Sequence, residues 1–234
     1  MGAEFRHEYK YICTAQQLGV VHSRLRGLLG ADPHTRPDGT YLIRSVYFDT
    51  PDDSCYYENE DGSDPRSKYR IRIYNSSDAR ITLERKAKER GMTHKDSGRL
   101  TKEQCLMMLK GKIPPLTEDM SPVLRRMLTD MRLRGMIPAV IVQYERRPFI
   151  HPFGNVRITL DTSISSSHSF DRFFDPDMPK RQILANGQGV LEVKWDQLLP
   201  SYIREQLQLD GLQWTSFSKY YLCRKYNNHG GLIK

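Results

Sequence analysis

Glu4-x-Arg6-x-Glu8-x-Lys10, with Phe5 and Tyr9 among the intervening residues, opens the chain with charges of both signs at every second position. The pattern returns as Lys68-x-Arg70-x-Arg72, as Glu84-x-Lys86-x-Lys88 and as Glu192-x-Lys194, with Tyr69, Ile71, Leu83, Leu191 and Val193 in the gaps. Strand side chains alternate between faces, so each run predicts a strand with one apolar face and one face of mixed charge. Two arrangements follow. An open antiparallel sheet would turn the charged faces to water, the commoner arrangement for half-buried sheets. A closed barrel would turn the apolar faces outward beneath covering helices and line a tunnel with the charges. Repetition over several strands favours the barrel, as does the scarcity of Thr, Ser, Gln and Asn at the charged positions.

The remaining segments supply the helices and turns of such a fold. A strand over Glu4–Ile12 leads into a helix opened by the capping box Thr14/Gln17 and ended by Gly30. Tyr41–Asp49 reads as strand, and the acidic, turn-rich stretch Pro51–Pro65 as a rim loop. Lys68–Tyr74 and Arg80–Lys88 form a hairpin across Asn75-Ser76-Ser77-Asp78, whereas Glu89–Arg99 is polar and breaks the periodicity. Thr101/Gln104 caps a short helix, and Ser121-Pro122 starts another that carries Val123, Leu124, Met127, Leu128 and Met131 to a stop at Gly135. Pro138–Ile150 and Asn155–Asp161 pair as a second hairpin, Gly189–Trp195 is a last strand, and helical segments at Asp196–Leu209 and Thr215–Tyr226 close the chain. The expectation is an α+β fold, a closed antiparallel β-barrel of about eight strands with surrounding helices. It should form a single domain over residues 1–234.

With 27% charged and 38% hydrophobic residues, the composition is that of a globular domain rather than a disordered or membrane-embedded one. The formal charge of +8 asks for an anionic partner without choosing among nucleic acid, a membrane surface and a phosphorylated small molecule. Cys13, Cys55, Cys105 and Cys223 are too scattered for a zinc or redox motif and read as buried thiols. The charged stretch Met1–Lys10 is no secretory leader, and Ile137–Val142 is too short to span a bilayer, so a reducing cytoplasm is expected.

Familiar catalytic motifs are absent. Gly187-Gln188-Gly189 lacks the strand-glycine-helix setting of a dinucleotide fold, and no glycine-rich loop ends in Gly-Lys-Ser or Gly-Lys-Thr. The seven histidines never take metal-binding spacing, and Ser165-Ser166-Ser167 beside His168 reads as a flexible polar loop rather than part of a triad. Ions placed in a dry interior cost several kcal/mol each. A charged tunnel is therefore tenable only if wet or filled by a polyanion, with carboxylates holding a divalent cation that bridges to phosphate oxygens.

Tyr9-Lys10-Tyr11, Ser45-Val46-Tyr47-Phe48-Asp49-Thr50, Lys68-Tyr69-Arg70-Ile71-Arg72, Leu83-Glu84-Arg85-Lys86, Tyr144-Glu145-Arg146, Arg157-Ile158-Thr159-Leu160-Asp161, Leu191-Glu192-Val193-Lys194 and Phe217-Ser218-Lys219-Tyr220 occur in that order along nearly the whole chain. In this the chain resembles VTC-type (vacuolar transporter chaperone) polyphosphate polymerase domains, members of the triphosphate tunnel metalloenzymes. The resemblance implies a closed tunnel barrel in which the terminal phosphoryl group of ATP passes to a growing polyphosphate chain, with Mn2+ or Mg2+ bound. By motif position it gives catalytic phosphate contacts to Arg70, Arg72, Lys86, Arg146 and Arg157, and substrate binding to Lys10 and Lys219, with Lys95 and Lys194 as further substrate-binding candidates. It gives the metal to Glu192, with Glu8 as a second candidate. Ser216 departs from eukaryotic members, which carry a further lysine there.

The implied partners are ATP and inorganic polyphosphate or triphosphate. No nucleic acid or direct membrane insertion is expected, and any coupling to translocation would need a membrane partner protein. Two rivals stand beside the polymerase: a metal-dependent triphosphatase on the same scaffold, and a non-catalytic module binding polyphosphate or nucleic acid on an exposed basic face. Triphosphatase relatives usually begin Glu-x-Glu-x-Lys. The extra base Arg6 in this chain's opening run tilts the reading toward polymerase.

Overall fold

The computed structural model describes residues 7–209, 211–212 and 214–229. Glu4, Phe5 and Arg6 of the opening run lie outside them. In chain order the elements are β1 (His7–Thr14), α1 (Ala15–Leu25), β2 (Gly30–Ala31), β3 (Tyr41–Asp49), α2 (Ser54–Glu60), β4 (Arg66–Tyr74), β5 (Ser77–Glu89), β6 (Met92–Arg99), α3 (Lys102–Leu109) and α4 (Pro122–Arg134). They continue with β7 (Ile137–His151), β8 (Val156–Ser167), β9 (Arg181–Gln182), β10 (Gln188–Trp195), α5 (Ser201–Gln206) and α6 (Lys219–His229).

All ten strands belong to one antiparallel sheet with the order β1-β10-β8-β7-β3-β4-β5-β6, to which β2 adds beside β7 and β9 beside β8. The β4–β5 turn is built from Asn75 and Ser76, both with positive φ, as a two-residue turn matching strand twist requires. Arg90 (φ 51°) and Gly91 (φ 76°) repeat the device between β5 and β6.

The sheet curls but does not close. Among the described residues no ladder joins β1 to β6, which corrects the expected closed barrel. The outer edge of β1 is taken by the chain approaching α6: Trp214 bridges Tyr11, and the Thr215 N–H donates to the Lys10 carbonyl at 3.0 Å. A strand edge whose backbone groups are engaged accepts no further strand there.

The apolar faces point outward under helices. β4, β5 and α3–α4 share one cluster built on Tyr69, Ile71, Leu83, Met108, Leu124 and Met127. β1, β8, β10, α1 and α5 share another around Val21, Leu25, Ile158, Leu191 and Ile203. A third lies on the inner face, where Phe217 and the α6 residues Tyr220 and Cys223 pack against Ile43, Val140, Val142 and Tyr144. The C-terminal helix thus fills part of the lumen.

Several boundaries differ from the sequence reading. The first helix ends at Leu25, and Gly30 begins β2. The rim loop contains α2, with Cys55 and Tyr56 buried, because the Asp49 carboxylate at the end of β3 accepts the N–H groups of Cys55 at 2.8 Å and Tyr56 at 3.1 Å. That supplies, from outside the segment, the acceptors a helix start requires. The polar stretch before Arg99 is β6, an edge strand with both faces largely exposed and hence without hydrophobic alternation. It is held at Gly98, where a Cβ would lie 2.8 Å from Ser121 Cβ, so glycine permits the contact with the start of α4. Ser165–Ser167 form the buried end of β8 rather than a flexible loop. The segment after β10 is helical only over Ser201–Gln206, and the last helix begins at Lys219.

Candidate functional site: a basic inner wall

Strand alternation sets Glu8 and Lys10 on β1, Glu192 and Lys194 on β10, Arg157, Thr159 and Asp161 on β8, Arg146 on β7, Ser45 and Tyr47 on β3, Lys68, Arg70 and Arg72 on β4, and Glu84 and Lys86 on β5 along the inner face. Lys95 on β6 reaches the same wall, with its Nζ 2.9 Å from Glu84. Lys219, in the first turn of α6, is delivered into the lumen by the helix that fills it.

Four carboxylates organise these bases. Asp161, fully buried, takes a bidentate fork from Arg146 at 2.6 and 2.7 Å and an ion pair from Lys219 at 2.7 Å. Glu192 is paired with Lys194 and lies 3.7 Å from Arg146. Glu8 meets Lys10 at 2.8 Å, Lys194 at 3.6 Å and, across the lumen, Lys86 at 3.8 Å. Glu84 receives Arg70 at 2.5 Å, Lys95 at 2.9 Å and Arg72 at 3.8 Å. The Tyr47 hydroxyl accepts from Arg70 at 3.0 Å, and Ser45 Oγ lies 3.5 Å from Arg72 Nε.

The electrostatics follow from this crowding. Burial pushes the Glu84 carboxyl up, but Arg70, Arg72 and Lys95 together hold it down at about 2. Burial likewise opposes ionisation of Glu192, and Arg146, Lys194, Lys219 and Lys10 overcome it, holding the carboxyl well below the usual range. Asp161 is lowered by Arg146 and Lys219 against the same burial. Burial also works on Tyr47, yet Arg70 and Arg72 draw its phenol below the ordinary value. Lys68 makes no direct ion pair with a carboxylate among the described residues: burial, with Arg66 and Lys86 adding repulsion, lowers its amine to about 8 against a weaker opposing pull from Asp49. It donates to Asn59 and sits 4.9 Å from the centroid of the Tyr220 ring.

Ten of the eleven sequence-predicted residues, Glu8, Lys10, Arg70, Arg72, Lys86, Lys95, Arg146, Glu192, Lys194 and Lys219, thus fall into two connected ion-pair groups on one wall. Arg157 stands apart at the rim, 38% exposed, with Nη2 donating to the Tyr41 hydroxyl at 2.8 Å and lying 3.3 Å from Asp32. Sequence reasoning assigned no role to Glu84, Asp161, Tyr47, Thr159 or Lys68. Glu84 and Asp161 carried a usable signal, each being in alternation with an assigned base. Lys68 carried it too, in alternation with Arg70, whereas Tyr47 did not, because its environment comes from α6 and the neighbouring strand.

Among the described residues no group of three or more His, Cys, Asp or Glu side chains is gathered as a metal cage. Glu8 and Glu192, joined through Lys194, offer a pair of hard oxygen donors. That suits a Mg2+- or Mn2+-type ion, which usually takes one or two carboxylates and draws further ligands from water and phosphate.

The sequence profile of the VTC domain matches residues 5–227. The chain belongs to the VTC domain family. The fold is shared with a proposed adenylate cyclase from Bacillus halodurans, at a TM-score of 0.51 and 17% identity over 89% of this chain and 88% of that one. The PH1819 protein of Pyrococcus horikoshii aligns at a TM-score of 0.43 and 11% identity over 87% of this chain and 84% of that one. No curated protein matches the chain in sequence. No helix among the described residues of this VTC-family chain is long and apolar enough to cross a membrane.

Proposed function

We propose that this VTC-family chain is a metal-dependent polyphosphate polymerase that moves the γ-phosphoryl group of ATP to the end of a phosphate chain on the inner wall. Family membership supports a polyphosphate- or triphosphate-related function. The observation that carries the finer reading is the composition of the wall: eight basic side chains pair with only four carboxylates. Such a surface has a net positive excess even with every acid ionised. A bound polyanion supplies the missing negative charge, since uncompensated buried cations are costly.

Arg70, Arg72, Arg146 and Lys219 bind at the enclosed part of the wall, and Lys86 and Lys95, 61% and 54% exposed, at the open part. Arg157 adds a rim contact, and Lys10 and Lys194 hold phosphate beside Glu8 and Glu192. A terminal phosphate oxygen of the acceptor attacks Pγ, the bond from Pγ to its bridging oxygen breaks, and ADP leaves. The arginines and lysines hold the two phosphates in line and neutralise charge on the transferred and leaving groups. No protein nucleophile is required. A Mn2+ or Mg2+ ion held by Glu192 and Glu8 would act as a Lewis acid on phosphate oxygens.

The seat of α6 favours one second reading. By packing Tyr220 into part of the lumen, the helix shortens the stretch of wall that a polyanion could follow, which favours a short one such as a triphosphatase would bind. Incubating the protein with ATP and Mn2+ and resolving products on a gel separates the two, with Glu192→Ala as control. Phosphate chains absent from the variant reaction are expected. Orthophosphate release without chains would transfer the assignment to triphosphatase, and neither product would leave a binding module.

A further inference from the structure

Thr159 occupies the middle of the inner-face run Arg157–Thr159–Asp161 and is 2% exposed, yet its hydroxyl has no hydrogen-bond partner among the described residues. Neither cross-strand neighbour takes up its hydrogen. On one side stands Glu192, which makes no hydrogen bond with the hydroxyl and is held toward Lys194 and Arg146. On the other stands Pro148, which has neither an N–H nor a polar side chain to offer. Pro148 is tolerated there because β7 exchanges partners at this point, pairing with β3 up to Arg146 and with β2 from Phe149.

A buried hydroxyl without a partner is destabilising, and valine would fill nearly the same volume without that cost. The position therefore fits a group whose partner arrives with a ligand. Around it lie Arg157 and Asp161 on its own strand, Glu192 beside it, and Lys10 beyond Glu192 in register. Arg146 and Lys219 converge on the adjoining Asp161. The positive excess of these neighbours selects an anion, and a hydroxyl hydrogen needs an oxygen acceptor.

We infer that Thr159 is a phosphate-binding residue whose Oγ1–H donates to a non-bridging oxygen of the phosphate seated at the level of Glu192. The inference rests on the phosphate-chain reading of the inner wall, to which it adds a neutral donor that fixes one phosphate along the strand. The bases attract a polyanion at many registers; a short hydroxyl on a rigid strand selects one.

The experiment is calorimetric titration with tripolyphosphate of the wild type, Thr159→Val, Thr159→Ala and Thr159→Ser, with thermal midpoints recorded alongside. Valine and alanine should each weaken binding about tenfold, the loss of one hydrogen bond to a charged acceptor. Serine should stay within about twofold, since it keeps the donor. Valine should melt no lower than the wild type. Wild type, valine and alanine binding alike would overturn the role of Thr159 while leaving the phosphate reading intact. A wild type that binds no tripolyphosphate would overturn that reading and the role of Thr159 with it. The alanine variant keeps the test available should valine not fold.

Discussion

Glu8 on β1 and Lys86 on β5 approach to 3.8 Å although five strands separate β1 from β5 in the sheet order. Such a contact requires the sheet to have curled almost fully round. The charged residues of distant strands therefore face one another across a lumen, and each wall supplies counterions to the other. The sheet reaches this state without a closing ladder, because the first strand's edge is already engaged by Trp214 and Thr215.

In the proposed reading Lys86 contacts the phosphate chain, and its exposure gives it little structural weight. At 61% exposure its pairing with Glu8 is screened and contributes little to stability. Lys86→Ala should unfold within about 0.5 kcal/mol of the wild type in urea. Its affinity for tripolyphosphate should fall several-fold, with a shallower salt dependence. A large loss of stability with binding unchanged would count against the role.

Asp161 should behave in the opposite way. Its carboxylate is fully buried and neutralises Arg146 and Lys219 together. Removing one member of such a buried group leaves uncompensated charge and costs about 3–5 kcal/mol. Asp161→Ala should therefore lower the thermal midpoint by roughly 10 °C for a domain of this size. Added tripolyphosphate should recover part of the loss, because a polyanion supplies negative charge to Arg146 and Lys219; a midpoint gap from the wild type that does not narrow in a thermal-shift series would count against this account.

Glu84 gives the wall a defined response to acid. Its folded carboxyl is held at about 2, below an unfolded value near 4.5, so the folded state binds fewer protons between these limits. The sign is that of a depressed acid: its contribution is complete above about pH 4.5 and is lost as pH falls toward 2. Glu84→Gln should flatten the stability profile over that window. Midpoints measured from pH 5 to pH 2 for both proteins check this, and parallel curves would show that Glu84 is not the group responsible.

The outward-facing layers were legible because their periodicity is local. Thr14/Gln17 and Thr101/Gln104 form the capping boxes read from sequence, and Ser121-Pro122 begins α4. The inner wall was legible for the same reason, since Arg70, Arg72 and Lys86 alternate with core residues. What sequence could not show depends on contacts between remote segments. α2 looks like an acidic loop until Asp49 is placed against its first turn, and β6 has no apolar face to betray it. The failure of closure lies in Trp214, far along the chain from the strand whose edge it occupies.

Asp49 also tests how the lumen is assembled. Its carboxylate accepts from the N–H groups of Thr50, Cys55 and Tyr56 and from the hydroxyl of Tyr220, joining β3, α2 and α6 at one buried point. Asp49→Ala would strand several donors, at about 1–3 kcal/mol for each left unsatisfied. A loss of at least about 3 kcal/mol is expected, with hydrogen exchange in α6 accelerating more than exchange in α4. Equal acceleration in the two helices would show that Asp49 stabilises the molecule generally instead of seating α6.

Lys68 predicts a change of affinity above neutrality. Its amine is lowered to about 8 by burial and by the neighbouring Arg66 and Lys86, well under the 10.5 of an exposed lysine. The folded state therefore holds fewer protons than the unfolded one between these values, so this residue's contribution to stability rises as pH climbs from 8 toward 10.5. Binding runs the other way, because a neutral amine no longer attracts phosphate. Tripolyphosphate affinity should decline as pH passes through about 8, and Lys68→Met should remove that step while leaving any decline above pH 9.5 in place. A wild-type profile flat from pH 7 to 9, or a step that survives in Lys68→Met, would mean that Lys68 keeps its charge or lies outside the reach of the ligand.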